Sequence, residues 1–152
     1  MTTPKTPKNP KKPDELREIF FSRLLRKTST RKQAEEFLSR FQLPVELHDS
    51  LMNEAEETGL IDDLAYARLF ADGHSSWGNA KISYELSLRG ISSENVRLAL
   101  EDIADESERA GQIAEELKKT GLDERKIKSR LISRGFSAPS LFSKGVKFQR
   151  IT

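Results

Sequence analysis

One pattern is written twice in this chain, 45 positions apart: Ile82-x-x-x-Leu86-x-x-Arg89-Gly90-Ile91-Ser92 and Ile127-x-x-x-Leu131-x-x-Arg134-Gly135-Phe136-Ser137. Each copy reads as the end of an amphipathic helix, a glycine where left-handed backbone is needed, an apolar residue that docks, and a serine that caps the next helix. A more worn copy lies upstream in Leu38-Ser39-Arg40-Phe41-Gln42-Leu43-Pro44, where Gln42 stands in place of the glycine and Pro44 opens the next helix. Repeats of this length are small helical units stacked in a row. Such a chain offers an extended binding surface before it offers a pocket.

The apolar spacing fills in the units. Leu16, Ile19, Phe20, Leu24 and Leu25 form a stripe on a first helix running from Asp14 to about Lys27. Thr30-x-x-Gln33 is a capping box for a second helix with Ala34, Phe37, Leu38 and Phe41 facing inward. A third helix follows Pro44, buries Val45, Leu47, Leu51, Met52 and Ala55, and ends at Gly59. The second unit opens at Asp62-Asp63, where either carboxylate can cap. It breaks at Gly73–Gly78, resumes through Ile82 and Leu86, and closes with a helix capped by Ser92. An acidic stretch, Glu101 to Glu108, connects to a third unit. There Asp123 caps a helix carrying Ile127 and Leu131, and Ser137-Ala138-Pro139 opens a short last helix. No window alternates like a strand, so the expected fold is all-α, as three tandem three-helix repeats. The expected division is a disordered basic tail over 1–13, repeats over 14–58, 59–104 and 105–144, and a C-terminal tail over 145–152.

Charge is segregated along this frame. From Glu46 to Tyr66 there are seven acids and no Lys or Arg, whereas from Lys118 to Arg150 there are ten basic residues against Asp123 and Glu124. Opposed blocks set up a field suited to a partner or polyanion that meets one end. The basic positions singled out as contact candidates are Lys81, Arg89 and Arg97 in the middle unit, and Lys126, Lys128, Arg130 and Arg134 in the third. Arg89 and Arg134 recur at the same repeat position, where a cation also suits a helix C-terminus. Trp77 beside Gly78 reads either as a stacking residue or as a plug under its loop.

Several functional classes are not expected. The chain has no cysteine and only His48 and His74, which excludes disulfides and Cys-ligated metals and leaves little for a zinc site. Adjacent Asp62 and Asp63 point apart on a helix and read as caps rather than paired acid and base. No Gly-rich phosphate loop or nucleophile–base pair is visible, so the expectation is a non-enzyme without cofactor. No stretch approaches the roughly 18 apolar residues of a membrane span, and the start is too polar for a signal peptide.

The middle unit carries a more specific pattern. Gly59-Leu60-Ile61-Asp62-Asp63-x-x-Tyr66-Ala67-x-x-Phe70, followed by Gly78-x-x-x-Ile82-x-x-Glu85-Leu86-x-x-x-Gly90-Ile91, resembles the signature of the RecX family, bacterial regulators of the RecA recombinase. The resemblance covers about residues 16 to 142. It implies an elongated, curved molecule lying in the groove of the RecA filament on single-stranded DNA. It further implies inhibition of the filament's ATPase, strand-exchange and coprotease activities, with no enzymatic activity of its own. The expected location is the cytoplasm, which the absence of cysteine fits, and the expected state is a monomer. Where the family has a longer Arg/Lys-rich connection before Gly78, this chain has Ser75-Ser76-Trp77. The alternative reading is a helix-turn-helix-like module that binds nucleic acid, single-stranded DNA included, without RecA.

Overall fold

The computed structural model describes residues 12–137, and these hold eight α-helices and no strand. In chain order they are α1 (Pro13–Arg26), α2 (Arg31–Leu38), α3 (Val45–Glu57), α4 (Asp63–Gly73), α5 (Asn79–Leu88), α6 (Ser93–Glu101), α7 (Glu106–Lys119) and α8 (Glu124–Ser133). Residues 12–66 with Arg89–Ile91 form one compact unit, and Ala67–Leu88 with 92–137 form a second. The short helix expected after Ser137 and nearly all of the expected basic tail lie outside the described residues. Pro13, assigned to that tail, is instead the first residue of α1, where its missing N–H costs nothing.

In the first unit, α1, α2 and α3 close on a core of Phe20, Leu24, Ala34, Leu38, Leu51, Met52, Ala55 and Ile61, with Phe21, Phe37, Leu43, Leu47 and Leu60 packed around it. The stripe read from the sequence is narrower than expected at its edges. Leu25 is 73% exposed and Val45 70% exposed, although both were counted as apolar-face residues. Val45 is the first residue of α3, on the turn that has not yet reached the core, and Leu25 follows Leu24 by 100°, which carries it off the buried face. The capping box is present: Gln33 N–H donates to Thr30 Oγ1 at 3.2 Å while Thr30 N–H donates to Gln33 Oε1 at 3.0 Å.

In the second unit, Ala67 and Ala71 of α4, Ile82 and Leu86 of α5, and Val96 and Ala99 of α6 are buried. Alanines at the α4 positions keep that buried face small. Helices α7 and α8 enclose Ala110, Ile113, Ala114, Ile127 and Leu131 with Phe136. The caps are those the sequence offers, Ser92 accepting from Asn95 N–H at 3.2 Å and Asp123 from Lys126 N–H at 2.9 Å. The acidic stretch read as a connection is in part helix. Asp105 caps α7 by accepting from Ser107 N–H at 3.1 Å, and Glu106 and Glu108 lie in its first turn, where the helix dipole favours them.

Candidate functional site

The same closure occurs at the starts of α2 and α5. In the first unit, Thr30 at the N-cap of α2 donates its hydroxyl to the Arg89 carbonyl at 2.6 Å, and the Arg31 N–H donates to Asp63 Oδ1 at 2.8 Å. In the second, the Gly78 N–H before α5 donates to the Arg134 carbonyl at 2.8 Å, and the Asn79 N–H donates to Glu106 Oε2 at 2.8 Å. Asp63 and Glu106 are the first residues of α4 and α7, so an acid opening one helix satisfies the N-terminal donors of another. The repeated Arg-Gly turn supplies the second partner each time. This explains the glycines of the repeat. Gly90 (φ +86°) and Gly135 (φ +90°) are left-handed, and a Cβ at either would stand 2.5 Å from the Cβ of Lys32 or Lys81. The worn copy at Gln42 has no left-handed residue, in keeping with a turn that makes no such contact among the described residues.

Thr30 is fully buried, and its one hydroxyl serves as acceptor within the capping box and as donor to Arg89. Thr30→Val keeps the shape and removes both bonds, leaving a buried N–H and a carbonyl unmatched. A loss of about 2 kcal/mol in urea unfolding is expected. Thr30→Ser should recover most of it, and equal midpoints for Val and the parent protein would exclude this role.

The short connection before Gly78 is held from beneath by Arg109, a residue the sequence reading passed over. Arg109 is 3% exposed. Its Nε donates to the Ala104 carbonyl at 2.8 Å, one terminal nitrogen to the carbonyls of Ser75 (3.1 Å) and Trp77, and the other to Asn79 Oδ1. Burial pushes the guanidinium pKa down, and nearby Glu106 and Asp105 oppose that shift. The available signal was positional: Arg109 is four residues before Ile113, on the apolar stripe of α7, where a solvated cation has no place. Above it, Trp77 is half-buried, edge-on to Phe70 at 6.0 Å and 4.3 Å from the ring of His74, which itself stacks on Phe70 at 4.1 Å. His74 thus sits among rings and not on a polar helix face. Its Nδ1 is 2.8 Å from the Phe70 carbonyl.

The cationic candidates fall into different environments. Arg97 is exposed but engaged on its own helix by Glu94 (2.6 Å) and Glu101, and the hydrogen bond it donates holds Glu94 below its ordinary pKa. Lys128 pairs with Glu124 at 2.9 Å. Lys81 is half-buried, with its ammonium 4.2 Å from the centre of the Trp77 ring. Arg89 and Arg134 are half-buried, and their carbonyls are used in the turns just described. Lys126 and Arg130 are exposed one turn apart on α8, and among the described residues neither makes an ion pair.

The signature residues are mostly internal. Ala67, Ile82 and Leu86 are fully buried, Tyr66, Phe70 and Glu85 are half-buried, and Gly59 follows α3 with φ +79°. The two aspartates divide the capping work: Asp62 Oδ1 accepts from Ala65 N–H at 3.0 Å in its own helix, while Asp63 closes α2.

This arrangement can be set beside known proteins. Residues 62–100 match the family pattern described as RecX, second three-helix domain. The chain is 30% identical over 133 residues to the regulatory protein RecX of Thermobifida fusca, covering 80% of this chain and 72% of that one. It is 31% identical over 121 residues to the regulatory protein RecX of Lactobacillus delbrueckii subsp. bulgaricus, covering 71% of this chain and 44% of that longer protein. Its fold matches the crystal structure of RecX from Lactobacillus salivarius with a TM-score of 0.73 at 24% identity, over 85% of this chain and 91% of that one. A second crystal structure, of a regulatory protein RecX, matches with a TM-score of 0.68 at 21% identity, over 85% and 69%. With the signature residues, the paired closures of α2 and α5 and these likenesses together, the chain belongs to the RecX family of regulatory proteins.

Proposed function

We propose that this protein regulates the RecA recombinase, binding its filament on single-stranded DNA and inhibiting ATP hydrolysis, strand exchange and coprotease activity. It does so without chemistry or a cofactor of its own. The observation that carries this reading is the family membership, established along most of the chain. The three repeats, taken as 14–58, 59–104 and 105–144, supply several modest contacts. Once the first has formed, each later one is effectively intramolecular, so weak single contacts add to strong binding on a repeating polymer. The protein acts as a monomer in the cytoplasm; no described helix is long and apolar enough to cross a membrane.

Among the cations, Lys126, Arg130 and Arg134 of the third repeat are the contact residues this reading favours, because Arg97 and Lys128 already have carboxylate partners and Lys81 lies over Trp77. The test is single-stranded-DNA-dependent ATP hydrolysis by the recombinase of the same organism, titrated with this protein. Inhibition well below one molecule per recombinase subunit is expected. Charge reversal of Arg130 and Arg134 to Glu should raise the half-inhibiting concentration by about tenfold with little change in melting temperature. No inhibition by the folded parent protein would sink the reading, and full inhibition by the double variant would remove those two residues from the contact.

A further inference from the structure

The first unit carries a cationic cluster that none of its internal contacts neutralises. The guanidinium of Arg23, on α1, lies 4.6 Å from the centre of the Phe37 ring, and that of Arg40, just past α2, lies 5.5 Å from the same ring. The two charges are therefore no more than about 10 Å apart, near one screening length at physiological salt, and they repel. Among the described residues neither is in an ion pair. This contrasts with Arg17, which lies over Phe21 at 4.8 Å but is bound to Glu54, and with Arg31, bound to Glu56. Phe37 in turn meets Phe41 edge-on at 5.6 Å, and both rings are half-buried.

Nothing in the repeat requires this cluster. Counted from the buried leucines Leu38, Leu86 and Leu131, the Phe37 position is Glu85 and Arg130 in the other two repeats, and the Arg40 position is Leu88 and Ser133. The negative end of a helix dipole accounts for one cation at the end of α1 and one at the end of α2. It does not account for both being gathered on one ring. A guanidinium laid on an aromatic face is held in place while its N–H groups radiate from its edge; Arg40 is exposed and Arg23 half-buried, so each keeps surface for a ligand. The edge suits phosphate oxygens and the outer face suits an unstacked base.

We propose that Arg23 and Arg40, held by Phe37 with Phe41 beside it, form a binding site for single-stranded nucleic acid, with phosphates on the guanidinium edges and bases stacked on the guanidinium faces. The site works without a recombinase and is separate from the third-repeat cations. A single strand fits because its bases are accessible; a duplex offers this cluster its phosphates alone.

The test uses the full chain without recombinase and a fluorescein-labelled oligothymidylate, read by anisotropy at several salt concentrations. The parent protein should bind, and more tightly than it binds a duplex of the same length. Arg23→Gln with Arg40→Gln should weaken binding about tenfold and flatten the slope of log K against log salt by about 1.4, the share of two phosphate contacts on a single strand. Lysine at both positions should keep the slope and lose several-fold in affinity, since the charge remains and the planar stack does not. Circular dichroism establishes that each variant is folded. An unaltered affinity in the Gln variant, equal binding of the duplex, or no binding by the parent protein would each overturn the site. Because the assay contains no recombinase, its failure leaves the filament reading to stand or fall separately.

Discussion

Replacing Gly78 by alanine is expected to cost about 3–5 kcal/mol, a large part of the stability of a domain this size. Gly78 is buried, and the obstacle is not its backbone torsion but its neighbour. A Cβ built on Gly78 falls deep inside the shells of the Gly135 carbonyl carbon and oxygen and of the Phe136 nitrogen, well short of the 3.0 Å that real contacts respect. All three are main-chain atoms, so no side chain can swing aside. The Arg134–Phe136 turn must retreat, and two things go with it. The Gly78 N–H loses the Arg134 carbonyl at 2.8 Å, and Phe136, 3% exposed, is pulled from the core it shares with Ile113, Ile127 and Leu131. Gly73→Ala is the matched control, since a Cβ there meets nothing within 4 Å. It lies at the end of α4, where alanine should be neutral or stabilising by up to about 1 kcal/mol. Urea unfolding of both variants checks the pair, and equal midpoints would show that the turn is free to move.

The contrast between these two glycines marks where sequence reading stops. Helices and caps are local, and the chain states them outright: Thr30 with Gln33, Ser92 and Asp123 each satisfy a donor three residues ahead. The glycines of the repeat were legible as left-handed turns, and Gly90 and Gly135 are so. What was not legible is what those turns rest on. Asp63 reads as the cap of its own helix, yet its carboxylate closes α2, 32 residues earlier, and Glu106 does the same for α5 from 27 residues away. Such pairings depend on how helices pack, which periodicity does not encode. Charge had the same limit. Composition placed Arg97 and Lys128 among the contact candidates, but their spacing to Glu94, Glu101 and Glu124 also permits the i, i+3 and i, i+4 pairs they make. Arg23 and Arg40 were passed over because only packing brings α1 and the end of α2 onto one ring.

Arg109→Met should cost a similar 3–5 kcal/mol, and its damage should be visible at one identifiable place. Methionine fills much of the volume but offers no N–H group. The carbonyls of Ala104, Ser75 and Trp77 and the amide oxygen of Asn79 then lose their common donor inside a site where Arg109 is 3% exposed. An unmatched buried acceptor costs more than the bond it made, so water must enter or the Ser75–Trp77 segment must lift. Lysine is a poor substitute, because a single ammonium cannot reach acceptors spread around a planar fork. Trp77 reports the event directly. It is the chain's one tryptophan, half-buried against Phe70 and His74. Its emission should shift to the red and its quenching by iodide should rise in Arg109→Met under conditions where circular dichroism still shows helix. Gly78 adjoins Trp77, so the loosened segment should also weaken the Gly78–Arg134 closure. Amide exchange at Gly78 and Asn79 should then accelerate more than exchange at Gln33, whose donor is capped by Thr30 in the other unit. Parent-like tryptophan emission together with a parent-like unfolding midpoint would mean that the guanidinium fills space without holding the segment down. That outcome would assign the order of the Ser75–Trp77 connection to the ring contacts alone.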